Sequence, residues 1–132
     1  MRDRPTPEEL LHGARIVLDR DITPSLAGPQ RFAAMLISRA MAVAGRAIVN
    51  GDGPLYAEAQ RLQALVDIRP AARPNPETLS AVLLERNRLL VHQIRSGAFD
   101  TGVARRQLFE HLSQVTRDKL SENNPRYFEL SK

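Results

Sequence analysis

An all-α fold, a compact bundle of four to five helices, is what this sequence predicts, and three observations predict it. Apolar residues recur at spacings of three and four along the whole chain, with no period-two stretch that reads as a strand. Prolines stand where helices can begin, at Pro7, Pro29, Pro54 and Pro76, and glycines where they can end, at Gly51 and Gly97. The composition of the 132 residues, 42% hydrophobic and 26% charged, is that of an ordinary globular chain and excludes the collagen-like and disordered classes. The expected organisation is a single helical domain over residues 1–132.

The elements follow in order. Thr6 is placed to cap the first helix, with Pro7 in its first turn and Glu9 completing a capping box. Its apolar stripe is Leu10, Leu11, Ala14, Val17 and Leu18, and a turn from Ile22 to Leu26 follows. Gly28-Pro29 opens a second helix running to about Val49. Phe32, Leu36, Val43 and Ala47 share one face there, broadened by Ala33, Ile37, Ala40, Ala44 and Ile48. A helix apolar over so much of its circumference is expected in the middle of a bundle, and its alanines and Gly45 suit close approach of a neighbour. Ser38, Arg39, Gly45 and Arg46 interrupt the apolar run, which is therefore read as a core helix and not a membrane span.

A shorter third helix starts at Asp52 or Gly53 with Pro54 and carries Leu55, Ala59, Leu62, Leu65 and Val66. The string RPAARPNP at 69–76 cannot continue it and reads as a stiff internal connection. Asn75 caps and Pro76 initiates a fourth helix with the stripe Leu79, Val82, Leu83, Leu90 and Ile94, ending at Gly97. Phe99 anchors the turn, Asp100 or Thr101 caps a fifth helix bearing Leu108, Leu112, Val115 and Leu120, and Asn123-Asn124-Pro125 stops it. The tail 125–132 is rich in apolar and aromatic residues and is expected to dock on the bundle.

Composition bounds the chemistry. There is no cysteine, which removes disulfides, thiolate catalysis and sulfur-based metal sites and fits a reducing, cytoplasmic setting. The first ten residues, MRDRPTPEEL, are charged where a secretion signal would be apolar. The net charge of +4 divides into +1 before and +3 after Val66, and the chain has 17 arginines against two lysines. No basic arm results, so nucleic-acid binding by scattered arginines ranks behind the other readings.

No catalytic constellation emerges. Glu9 and His12 form one Glu-x-x-His unit, but a carboxylate-bridged metal site needs a second, and neither His92 nor His111 supplies it. No metal, cofactor or catalytic residue is assigned. Ser25, Ser80, Ser96 and Ser121 sit near helix ends, where capping is their ordinary role. Arginines inside apolar stripes are the sharper signal. Arg39 and Arg46 lie seven apart on the second helix, and Arg86 falls among Val82, Leu83 and Leu90 on the fourth. Such guanidinium groups are either paired structurally, with Glu58, Asp67 or Glu85 as partners, or they clamp an anion such as an acyl-CoA or a phosphorylated metabolite.

Several strings resemble a bacterial family of unknown function. They are Arg4-Pro5-Thr6 with Glu8-Glu9-Leu10-Leu11, and Phe32 with Ala42-Val43-Ala44-Gly45-Arg46. In the C-terminal half they are Ile94 through Asp100, and Lys119-Leu120 with Asn124-Pro125-Arg126-Tyr127. The chain departs from that family's pattern at Ala47, where an acid usually follows the central arginine. The resemblance implies a small helical protein encoded near aminoglycoside-phosphotransferase-like kinases and acyl-CoA dehydrogenases. An accessory role to such an enzyme follows from it, with Tyr127, Phe128 and Leu130, or the connection at 70–76, as the interface. Homo-oligomerisation through the broad face of the second helix is the other association the pattern allows.

Overall fold

The computed structural model describes residues 4–67 and 74–128. It is all-α: five helices, α1 (Pro7–Val17), α2 (Gly28–Asn50), α3 (Gly53–Leu65), α4 (Pro76–Arg95) and α5 (Gly102–Asn123), with no strand among the described residues. A π turn (Leu18–Ile22) and a 3-10 turn (Thr23–Ser25) join α1 to α2, and a 3-10 turn (Pro125–Phe128) follows α5. The contacts divide the chain into two units, Met1–Gly51 and Asp52–Lys132.

In the first unit, α1 begins as its sequence dictates. The Glu9 backbone N–H donates to Thr6 Oγ1 at 3.2 Å, and the Thr6 N–H donates to Glu9 Oε2 at 2.7 Å, so two of the otherwise orphaned donors are satisfied reciprocally. α1 packs along α2. The Ser38 hydroxyl donates to Asp19 Oδ2 at 3.0 Å and ties α2 to the π turn. Ala34, 4% exposed, is the one buried side chain among the described residues of this unit. The stripe of α1 is not buried: Leu10 and Val17 are exposed, and Leu11 and Leu18 are half-covered. Within this unit α2 has one long helix, α1, packed along one of its sides. Gly45 is not required by close packing, since a Cβ there would meet Glu8 Cγ at 4.0 Å, an ordinary contact.

The second unit holds the core. α3 packs against both α4 and α5. Ala59, Leu62 and Val66 of α3 meet Leu79, Leu83 and Leu90 of α4, Leu108 of α5 and Phe99 from the intervening turn. The Asn75 side chain caps α4, accepting from the Thr78 N–H at 2.8 Å. Gly97, at φ 83°, ends it in a Schellman arrangement: its N–H donates to Ile94 O, and the Ala98 N–H donates to Gln93 O. The turn this makes carries Phe99 back into the core, 7% exposed. Tyr56 Oη donates to Pro74 O at 2.9 Å and fixes the chain as it enters α4. Most of the proline-rich connection and the last residues of the tail, with Leu130, lie outside the described residues.

Two stability outcomes follow. Leu62→Ala removes a side chain with no exposed surface and lowers unfolding free energy by about 2–5 kcal/mol in urea denaturation, whereas Leu84→Ala, at a site 54% exposed, changes it by less than about 0.5 kcal/mol. Gly45→Ala, unopposed by any neighbour inside 4 Å, raises the thermal stability of the α1–α2 unit by about 0.5–1 kcal/mol through helix propensity.

Candidate functional site

Two features stand out, one in each unit. The first is the side of α2 turned away from α1. At 3.6 residues per turn, Phe32, Ala33, Leu36, Ile37, Ala40, Val43, Ala44, Ala47 and Ile48 fall within an arc of about 160° that contains no charged residue. All but the half-buried Val43 are exposed, with Phe32 at 63%, Leu36 at 52% and Ile37 at 50%. By length and composition α2 is long and apolar enough to cross a membrane, with 11% of its most apolar stretch buried. Arg39 and Arg46 border one edge of the apolar arc, Arg31 lies on the opposite side of the helix, and α2 contains no acidic residue. Arg31 and Arg39 are exposed and make no ion pair among the described residues.

The second feature lies between α3 and α5. A pocket of about 480 Å³ is lined by Arg61, Ala64 and Leu65 from α3 and by Gln107, Glu110, His111 and Gln114 from α5. The α5 contributors recur at three- and four-residue spacing, so they form one polar stripe on the face that meets α3. Asp118 continues that stripe. It accepts from Gln114 Nε2 at 2.8 Å on Oδ1 and from Arg61 Nη2 at 3.2 Å on Oδ2, which holds the guanidinium in place. His111 stands at a core position of α5, 4% exposed, and its Nδ1 and Arg61 Nε, both sealed from solvent, have no hydrogen-bond partner among the described residues. Burial pushes the imidazole pKa below its ordinary value, Arg61 adds to the push, and Glu58 opposes it in part. The ring is therefore neutral at pH 7.

The sequence-predicted residues are placed as follows. Arg39 and Arg46 belong to the first unit, exposed and half-buried respectively, while Arg86 is in the second, 7% exposed. Arg86 Nη1 donates to the backbone oxygen of Ala59 and Nη2 to Gln63 Oε1 at 3.3 Å. Its partners are thus a carbonyl and an amide of α3 and not Glu58, Asp67 or Glu85. Glu58 is engaged by Asn87 Nδ2 at 3.3 Å. His12 and His92 are exposed, and no group of three or more metal-binding side chains exists among the described residues. The helix-end serines bond locally: Ser25, Ser96 and Ser121 donate to Ile22 O, Gln93 O and Asp118 O. Tyr127 and Phe128 stack edge to face at 5.8 Å and, with Phe109, Leu112 and Leu120, line a shallow groove of about 640 Å³ on α5. Leu130 is outside the described residues.

A family model described as a domain of unknown function, DUF6285, matches residues 24–127. The chain belongs to that family. The match runs from the turn before α2 through α5 and leaves α1 outside. Comparison with curated proteins gave no match, and comparison with solved structures gave none. Family membership therefore carries the all-helical chain to no assigned activity, and function has to be argued from the two features above.

The pH dependence of the second unit follows from His111. The unfolded chain binds a proton that the native state refuses, so stability falls as pH drops below about 6.5 toward the lowered native value and is constant, for this group, above it. Urea midpoints measured from pH 8 to pH 5 decline for the wild type, and the decline is shallower in His111→Gln, which cannot ionise.

Proposed function

We propose that the chain is an accessory protein without reaction chemistry of its own, which docks onto an enzyme through the charge-free face of α2. The observation that carries this reading is that a unit of some fifty residues buries one side chain among its described residues, Ala34, and leaves Phe32, Leu36 and Ile37 half or more exposed. Monomeric proteins seldom expose contiguous apolar patches beyond a few hundred Å², and larger ones mark interaction surfaces. The heptad-like run Leu36, Ala40, Val43, Ala47 suits a partner helix, with the alanines allowing close approach. Arg39 beside one edge selects a partner whose apolar ridge is bordered by a carboxylate, because opposite charges at an interface rim steer association and fix register. Phosphotransferase-like kinases and acyl-CoA-dehydrogenase-like enzymes are the partner classes that the sequence resemblance implies.

Purified chain is mixed with one such kinase and one such dehydrogenase from the same organism and analysed by size-exclusion chromatography with light scattering. A stoichiometric complex with one of them is expected, weakening as salt is raised. Leu36→Glu abolishes the complex while its circular dichroism stays that of the wild type, since the site is exposed. Elution of the wild type apart from both enzymes overturns the reading, as does a complex that survives Leu36→Glu. A chain that is dimeric alone and monomeric as Leu36→Glu assigns the face to self-association instead. A complex lost in Tyr127→Ala but kept in Leu36→Glu moves the interface to the groove on α5.

A further inference from the structure

The side of α5 away from α3 is apolar and basic at once. Pro125 follows the end of α5, and the 3-10 turn it opens places Tyr127 and Phe128 beside that helix, with the Tyr127 N–H donating to Asn124 O at 3.0 Å. The groove so formed, about 640 Å³, has Phe109, Leu112 and Leu120 along its floor. Phe109 is 57% exposed, Leu112 44% and Tyr127 51%, so the apolar patch is contiguous, as interaction surfaces are. The Thr116 hydroxyl in the groove donates to Leu112 O of its own helix at 2.8 Å, so its polar group is already engaged.

Charge narrows what the groove takes. At 3.6 residues per turn, the arc of α5 from Leu112 round to Arg117 spans about 140° and holds Arg105, Arg106 and Arg117 but no acid. Arg126 adds a fourth guanidinium from the 3-10 turn. All four are exposed, and none is in an ion pair among the described residues. The Arg105 guanidinium lies 5.7 Å from the centre of the Phe109 ring, which keeps it at the groove's edge. The nearest acid around the helix, Glu110, lies beyond Arg117 and lines the α3–α5 pocket instead. Glu129 and Lys132, the charged residues after Phe128, cancel in the sequence.

An occupant therefore brings apolar side chains for the floor and carboxylates for the rim. An extended peptide has no strand edge to pair with among the described residues, so the occupant has to satisfy its own backbone, as a helix does. From Phe109 to Leu120 the groove runs about 17 Å along α5, three turns of a facing helix. Arginines also attract single-stranded nucleic acid, but the leucines of this floor offer bases no flat face to stack on.

We propose that the groove on α5 docks an acidic amphipathic helix of a partner protein, its apolar residues on Phe109, Leu112 and Leu120 and its carboxylates on the surrounding arginines. This surface lies wholly within the second unit and does not rest on the reading of α2.

The full chain is panned against a displayed library of helical peptides of about 16 residues, with a fixed leucine stripe and flanking positions free to be Glu, Gln or Lys. The most enriched peptide is then measured by fluorescence anisotropy. The expected result is Glu enriched over Lys at the flanks by about tenfold or more, with a Kd below about 50 μM that rises with salt. Phe109→Ala and Arg117→Glu, both at exposed sites, each weaken binding by about tenfold or more with circular dichroism unchanged, and Leu36→Glu leaves it unaltered. No enriched peptide, or flanks enriched in Gln or Lys, overturns the proposal, as does affinity left unchanged in either groove variant. A chain ending at Phe128 is expected to bind as the full chain does. Binding about tenfold tighter after that truncation assigns the groove to the chain's own tail and overturns the proposal. A labelled oligothymidylate of about 12 nucleotides that competes with the peptide and binds more tightly also overturns it, in favour of single-stranded nucleic acid.

Discussion

Leu62 is the residue on which the second unit depends. It has no exposed surface, and it sits on the one helix that touches both of the others. A three-helix arrangement in which α3 is the shared neighbour has to place its apolar stripe toward α4 and still present something to α5. Ala59, Leu62 and Val66 meet the first demand by packing on Leu79, Leu83 and Leu90. The second is met differently: Leu108 is the α5 side chain in the buried cluster, Ala104 and Leu65 pack at its margin, and Arg61, His111, Gln114 and Asp118 form a polar part of the contact. The larger seam of buried leucines lies toward α4, with hydrogen bonds beside it, while toward α5 the Arg61–Asp118 pair accompanies a smaller apolar contact beside the pocket.

Arg86 shows how the hydrophobic seam accommodates a cation. Its guanidinium reaches across from α4 to a backbone carbonyl of α3, an acceptor that exists at Ala59 whatever side chains surround it. A backbone oxygen near the middle of a helix already accepts the i+4 N–H and has a second lone pair to offer, so the contact does not break the helix. With Gln63 alongside and Asn87 joining Glu58, α3 and α4 share a line of neutral or singly charged hydrogen bonds beside the leucines. This arrangement fixes the register of the two helices, which leucine packing alone specifies weakly.

What the sequence disclosed, and what it did not, divides along one physical line. Helix ends are local, and they were legible: the Thr6–Glu9 box, the Asn75 cap with Pro76, Gly51 and the Gly97 turn depend on residues within four positions of each other and stand where the pattern put them. Which residues share a helix face was legible too, since it needs only the 3.6-residue period. Which face is covered was not, because that is set by neighbours distant in the chain. Leu10, Val17 and Phe32 belong to their stripes and are exposed nonetheless. His111 was passed over for the same reason. Its value as a signal lies in the polar spacing 107, 110–111, 114 and 118 together with Arg61, more than forty residues earlier, and periodicity cannot bring those two segments together. The stripe marks Arg86 as a partly buried arginine, yet one of its partners is a main-chain oxygen, which no side-chain inventory reveals.

The first unit makes the consequence concrete. Below about 40–60 residues a chain buries too small a share of its surface to offset the entropy of ordering it, and such pieces require staples or partners. The α1–α2 unit has no cysteine to staple it and, among its described residues, one buried side chain. Its helices are well begun and well paired with each other, but pairing two helices covers one stripe on each, and α2 is apolar over about 160° on the opposite side. A residue selected only to fill a helix surface has no reason to be Phe32, Leu36 or Ile37, because exposed positions in water favour charged and polar helix formers of equal propensity. The arginines make the same point from the other direction: α2 carries Arg31, Arg39 and Arg46 outside the broad face and keeps charge off that face altogether. A face kept free of charge for more than four turns, on a helix that does have charges to place, is a face shaped by contact with something outside the unit.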